Sequence, residues 1–174
     1  MSRFAVLLCA DDSDYVKNKY GGYYGVFVKM LAEEGEIWDM FRVANGHFPD
    51  EEQMGLYDGF VITGSCSDAH GDDVWICELV TLINKLDSLN KKILGICFGH
   101  QILARALGGK VARAVSGWDI GVRTINFSLS AKTFTNFGIP TTLSLIECHR
   151  DEVHYSKPTI RYTNNQSINI FITT

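Results

Sequence analysis

The stretch KKILGICFGHQILARALGGK, residues 91–110, sets Cys97 between Gly95 and Gly99, where a short apolar run gives way to a helical pattern. A thiol at such a junction can attack a carbonyl carbon. A sharp strand-to-helix turn presents its side chain outward, and small flanking residues leave room for the turn. The N-terminus of the helix favours negative charge on the sulfur. The backbone N–H of Phe98 then points to where an oxyanion would form. Spacing alone also allows a buried structural cysteine here. A second loop, ITGSCSDAH (62–70), follows another apolar run. Neighbouring strands bring their end loops together, so Gly64 is a candidate second oxyanion donor through its N–H; a plain tight turn is the alternative.

The remaining chemistry-bearing residues are spread out. Cys9, Cys66, Cys77, Cys97 and Cys148 are odd in number and form no C-x-x-C. That argues against a disulfide framework and against a zinc cluster, and a reducing, cytosolic setting is expected. His47 and His70 fall in polar loops without metal-ligand spacing. His100 follows Cys97 by three residues and reads as a structural hydrogen-bonding group.

Elements must hold Cys97 and Gly64 in place, and the apolar pattern indicates which. RFAVLLCA, EIWDMFRV, GFVITG and KKILGI read as strands, the first as a buried parallel one and the third as short and β-branched. Between and after them, GGYYGVFVKMLAEEG reads as a helix with Tyr24, Phe27, Met30 and Leu31 at helical spacing. DVWICELVTLINKLDSLN reads as another, with Trp75, Leu79, Leu82, Leu86 and Leu89 on its apolar face, and FGHQILARALGG as a third, closed by glycines. PDEEQMGLYDG reads as a polar link. Such alternation predicts an α/β fold: an open, mostly parallel sheet with helices on both faces, in three layers like flavodoxin. After residue 110, KVARA, GVRTINFS and TTLSLIEC read as strands, and from about 154 the helix pattern is lost. The whole predicts one domain over 1–153 and an atypical tail over 154–174.

Composition narrows the partners. Acidic residues outnumber basic ones, 20 to 16, and no basic stripe stands out, so nucleic acid is not an expected partner. The apolar runs fall short of the ~20 residues of a membrane span. MSRFAVLLCADDSD reads as a first strand and not as a signal peptide.

GICFGHQILARALGGKV resembles the nucleophile segment of the class I glutamine amidotransferases, G-x-C-x-G-H-Q followed by a helix and G-G. AVLLCADDSDYVKNKYGGYYGVFVKML, GEIWDMFRVANGHFPDE, YDGFVITGSCSDAHGDDVWI and IECHRDEV are similar to the plant gamma-glutamyl peptidases of that family, from Phe4 to about Val153. The resemblance implies a cysteine hydrolase acting on the gamma-glutamyl bond of glutathione or its conjugates, in glutathione metabolism and glucosinolate biosynthesis. It implies a small gamma-glutamyl substrate, no metal and no cofactor, and leaves the oligomeric state open. By that resemblance Cys97 is the nucleophile, and Gly64 and Phe98 are the oxyanion positions. Gln101 helps hold the glutamyl group, Gly117 to Gly121 (GWDIG) line its pocket, and His149 and Asp151 belong to an H-x-D-x-V loop beside the site.

One departure stands out. The family's base is a histidine in G-H-P-E, and these 174 residues contain no such motif. The expectation is a truncated or variant C-terminus and a poor or inactive catalyst. His149 and His154 are chemically capable substitutes, against readings as a loop-shaping and a solvent-facing residue. Two further functions stay open: a glutaminase domain feeding ammonia to a synthetase partner, and a non-catalytic binding protein.

Overall fold

The computed structural model describes residues 1–126, 142–154 and 170–172. They fall into two compact units, Met1–Ala112 with Glu152–Thr173, and Arg113–Asp151. The first unit runs β1 (Arg3–Leu7), α1 (Asp14–Tyr20), α2 (Gly22–Leu31), β2 (Ile37–Phe41), α3 (Glu51–Leu56), β3 (Gly59–Ile62), α4 (Val74–Ser88), β4 (Lys92–Ile96) and α5 (Phe98–Ala106). Later come β5 (Lys110–Arg113), β6 (Asp119–Asn126), β7 (Thr142–His149), β8 (Asp151–His154) and β9 (Ile170–Ile172).

Five strands form one parallel sheet in the order β2-β1-β3-β4-β9. Alternation along each strand sends successive side chains to opposite faces. Ala5, Leu7, Phe60, Ile62 and Ile93 meet α4 and α5 on one side. Val6, Leu8 and Val61 meet Phe27 of α2 on the other. Burying each large apolar side chain contributes about 1.5–3 kcal/mol, so two filled faces hold the three layers together. Chain order reverses between β1 and β3, and in open α/β sheets ligands bind beyond the carboxyl ends of the strands at such a switch point. Helices do cover both faces, as the alternating pattern implies. Among the described residues, no helix is long and apolar enough to cross a membrane.

Several local expectations change. PDEEQMGLYDG is not a plain link, because it contains α3. Asp50 and Gln53 close a capping box there: each backbone N–H donates to the other's side-chain oxygen, at 2.9 and 2.8 Å, and Met54 is buried. On α4 the buried stripe is Ile76, Leu79, Leu82, Ile83 and Leu86. Trp75 lies at its edge, and Leu89 at the C-cap is exposed. Met30 of α2 is exposed, because Phe27, Tyr24 and Leu31 define the inward face. The stretch from 154 carries no periodicity, yet Ile170–Ile172 pairs in parallel with Leu94–Ile96.

The second unit holds β6 and β7, paired antiparallel with Asp119 opposite His149 and Gly121 opposite Glu147.

Candidate functional site

The turn at Cys97 is built by close packing. A Cβ added at Gly95 would lie 2.4 Å from the carbonyl oxygen of Gly99, and one at Gly99 would lie 2.2 Å from that of Ile62. Neither position accepts a side chain without moving α5 away from β3 and β4. With the helix seated so tightly, the chain must reverse within one residue. That residue, Cys97, has φ 55° and ψ −112°, a backbone conformation L-residues rarely adopt. Such strain costs about 1–3 kcal/mol and persists only where the surroundings enforce it.

Cys97 is half-buried and caps α5, and its carbonyl accepts the Gln101 N–H at 3.1 Å. The earlier N–H groups of the helix, Phe98 among them, lack carbonyl acceptors one turn back, as at any helix start. The Phe98 ring is buried and lies 5.6 Å from the Trp75 ring, which anchors the first turn. Gln101 and His100 are buried. Gly64 sits beside Cys97: a Cβ added to it would lie 3.6 Å from the Cys97 Cβ. The structure therefore brings Cys97, Phe98, Gln101 and Gly64 together within the first unit.

Two residues of this region had not been singled out from the sequence. Thr63 is buried at the end of β3. Its Oγ1 accepts the Cys9 N–H at 3.0 Å and donates to the Gly64 carbonyl at 3.2 Å. From α5, the Arg105 guanidinium donates to the carbonyls of Ala69 and Gly71, at 2.9 and 2.6 Å, and so ties that helix to the far end of the Gly64 loop. Cys9 lies 54 residues from Thr63, and Ala69 and Gly71 lie 36 and 34 from Arg105, so no local signal marks them.

The other expected residues lie in the second unit. Gly117 has φ 87° and turns the chain before β6; Gly121, with φ 145°, faces Glu147 across the pair. His149 Nδ1 lies 3.0 Å from the Asp151 carbonyl, which can only accept, so Nδ1 carries the proton. Its Nε2 lies 3.5 Å from the Glu147 carboxylate. The Asp151 carboxylate is buried and accepts from Arg113 at 2.8 Å, a strut between β5 and β8. Glu147 went unnoticed in the sequence, although its place two residues before His149 on a strand puts both on one face. Asp119, Glu147 and His149 each offer a ligand atom within 4.8 Å of the others, a set that could hold a cation. Asp119 also pairs with Arg123, whose guanidinium holds its carboxyl below the usual range. His154, considered as a base, is exposed and pairs with Glu152 at 3.4 Å.

Two grooves of the first unit lie apart from Cys97. One, about 690 Å³, is lined by Phe48, Met54, Cys77 and Leu82 among others; one of about 310 Å³ by Phe4, Trp38, Val61 and Leu94 among others.

Comparison with known proteins draws these observations together. The family model "Glutamine amidotransferase class-I" matches residues 20–170. Gamma-glutamyl peptidase 5 of Arabidopsis thaliana is 54% identical over 154 residues, which is 87% of this chain and 61% of that protein. Gamma-glutamyl peptidase 3 of the same plant is 50% identical over 87% of this chain and 62% of its own length. The chain thus spans about three fifths of the length of these relatives. Among solved structures, a glutamine amidotransferase from Thermotoga maritima superposes with a TM-score of 0.70 at 21% identity, covering 97% of this chain and 69% of that one.

Proposed function

The chain belongs to the class I glutamine amidotransferase family, and on that footing we propose that it is built to cleave gamma-glutamyl amide bonds by way of a thioester at Cys97. The observation that carries the reading is the strained backbone of Cys97, at the carboxyl end of β4 and the head of α5, with Gly64 against it. The two relatives named as gamma-glutamyl peptidases support the substrate class. In the proposed reaction, Cys97 Sγ bonds to the side-chain carbonyl carbon of a gamma-glutamyl group. The carbonyl electrons move to oxygen, where the Phe98 and Gly64 N–H groups receive them. Collapse expels the amine, which takes up the proton given up by the thiol, and water then releases glutamate from the thioester and restores the thiol. By the family resemblance Gln101 is assigned to the glutamyl group, and glutathione or its conjugates to the role of substrate.

A second reading, a weak or silent hydrolase, concerns these 174 residues alone, which contain no G-H-P-E. Acid–base help is typically worth about 10² to 10⁴ in rate. Of the candidate substitutes, His149 has partners at both ring nitrogens. Glutamate release from glutathione by the purified chain tests both readings. Release abolished by Cys97→Ser supports the hydrolase, and its further loss in His149→Ala makes that residue the base. No release above the Cys97→Ser background supports the silent form.

A further inference from the structure

We propose that Thr63 is the positioning residue of the oxyanion hole: its hydroxyl locks the Gly64 backbone against the end of β1 so that the Gly64 N–H faces Cys97. The inference rests on the reading of Cys97 as nucleophile and Gly64 as oxyanion donor. Three bonds carry it. The Thr63 N–H donates to the Leu7 carbonyl at 3.1 Å, which extends the β3–β1 ladder one step past the strand. Its hydroxyl then accepts from the Cys9 N–H at 3.0 Å, a cross-link between residues 54 apart. The proton of the same hydroxyl goes to the Gly64 carbonyl at 3.2 Å.

The Gly64 N–H lies in the planar Thr63–Gly64 peptide, whose tilt turns with the Thr63 ψ and with a Gly64 φ that no side chain restricts. The Thr63 hydroxyl holds the carbonyl on one side of Gly64, and the ladder bond at Thr63 holds the chain on the other. Thr63 and Cys9 are both buried, which shields the bond between them from competition by water; the bond to the Gly64 carbonyl is partly buried. Preorganised donors of this kind stabilise charge because they need not reorient during reaction, and a misplacement of about 1 Å can cost 10²-fold. Threonine also suits the strand through its β-branch, so one residue both ends β3 and fixes the loop. Thr63 is not placed in contact with substrate.

The test separates reaction at sulfur from stabilisation of an oxyanion. Iodoacetamide alkylates Cys97 by displacing iodide, with no oxyanion formed. An S-aryl gamma-glutamyl thioester acylates Cys97 through a tetrahedral oxyanion. A bond forms from Sγ to the carbonyl carbon, arylthiolate departs with its electron pair, and the thiol proton passes to solvent. Because arylthiolate leaves without protonation, the assay needs no acid and works on the chain as it stands. Both rates are followed at Cys97 by peptide mapping.

For Thr63→Val we expect alkylation within about twofold of the original, and acylation at least ~10-fold slower, within the loss of up to 10²–10³ for an absent donor. Thr63→Ser, which keeps the hydroxyl, should recover most of the acylation rate. If the valine variant does not fold, Thr63→Ala takes its place with the same expectation. Equal acylation in the folded variant and the original overturns the role of Thr63 and leaves the proposed function intact. Parallel loss of alkylation and acylation also overturns it, since the residue would then support only the fold. An original chain that alkylates at Cys97 but is not acylated there overturns the proposed function, and this inference with it.

Discussion

Cys97 carries two burdens, the sulfur of the proposed reaction and a backbone conformation suited to glycine. They can be separated. Replacing it by alanine removes the thiol and keeps the strain, whereas glycine removes both. Relief of roughly 1–3 kcal/mol is offset by roughly 0.5–1 kcal/mol for the greater freedom of glycine in the unfolded chain. Cys97→Gly should therefore be more stable than Cys97→Ala by about 1 kcal/mol in denaturant titration, with neither variant able to form a thioester. Equal midpoints would show that the turn stores no strain. Nearby, Cys9 marks the contrast: burial pushes its thiol up to about 12, so it is a core residue and not a nucleophile.

At the scale of elements, the site depends on how closely α5 approaches β3. Two glycines on two helices make opposite predictions. A Cβ at Gly99 would press on the Ile62 carbonyl at 2.2 Å, so Gly99→Ala should cost about 1–3 kcal/mol by overpacking and displace Cys97. Gly55, inside α3, has nothing within 4 Å of an added Cβ, and Gly55→Ala should instead stabilise by about 0.5–1 kcal/mol through helix propensity. Thermal melts of the two variants check the pair, and a shift of the same sign in both would contradict the packing described. The GICFG junction could be read from sequence because turn, nucleophile and clearance are local. α3 could not, because six residues show no period and its capping box is its main signal.

Across the whole molecule, alkaline pH probes the core. Burial, chiefly, and a hydrogen bond to the Asp39 carboxylate push the Tyr57 hydroxyl up to about 12, and burial does the same for the Cys9 thiol. In the folded state both groups keep protons that the unfolded chain loses near 10 and 9, their ordinary values. Their contribution is complete below about pH 9 and is lost as pH rises toward about 12. Urea midpoints should therefore fall steadily above pH 9, and Cys9→Ala should fall less steeply. A slope that Cys9→Ala leaves unchanged would remove Cys9 from the effect.

By itself the sequence determined the alternation of strand and helix, the parallel sheet, and the place of Cys97 and Gly64 at strand ends. All of these follow from local periodicity and from residues with unusual backbone freedom. Tertiary structure alone decided the rest. Thr63 acquires its partner only because β1 and β3 are neighbours, which sets Cys9 within 3.0 Å of a residue 54 positions away. The order of strands likewise gives Arg105 the carbonyls of Ala69 and Gly71. Ile170–Ile172 becomes a strand because β4 offers an edge of unpaired backbone groups, a property of the partner and not of the three residues. Periodicity reports what one element prefers, whereas hydrogen bonds between distant segments exist only once the sheet has chosen its neighbours.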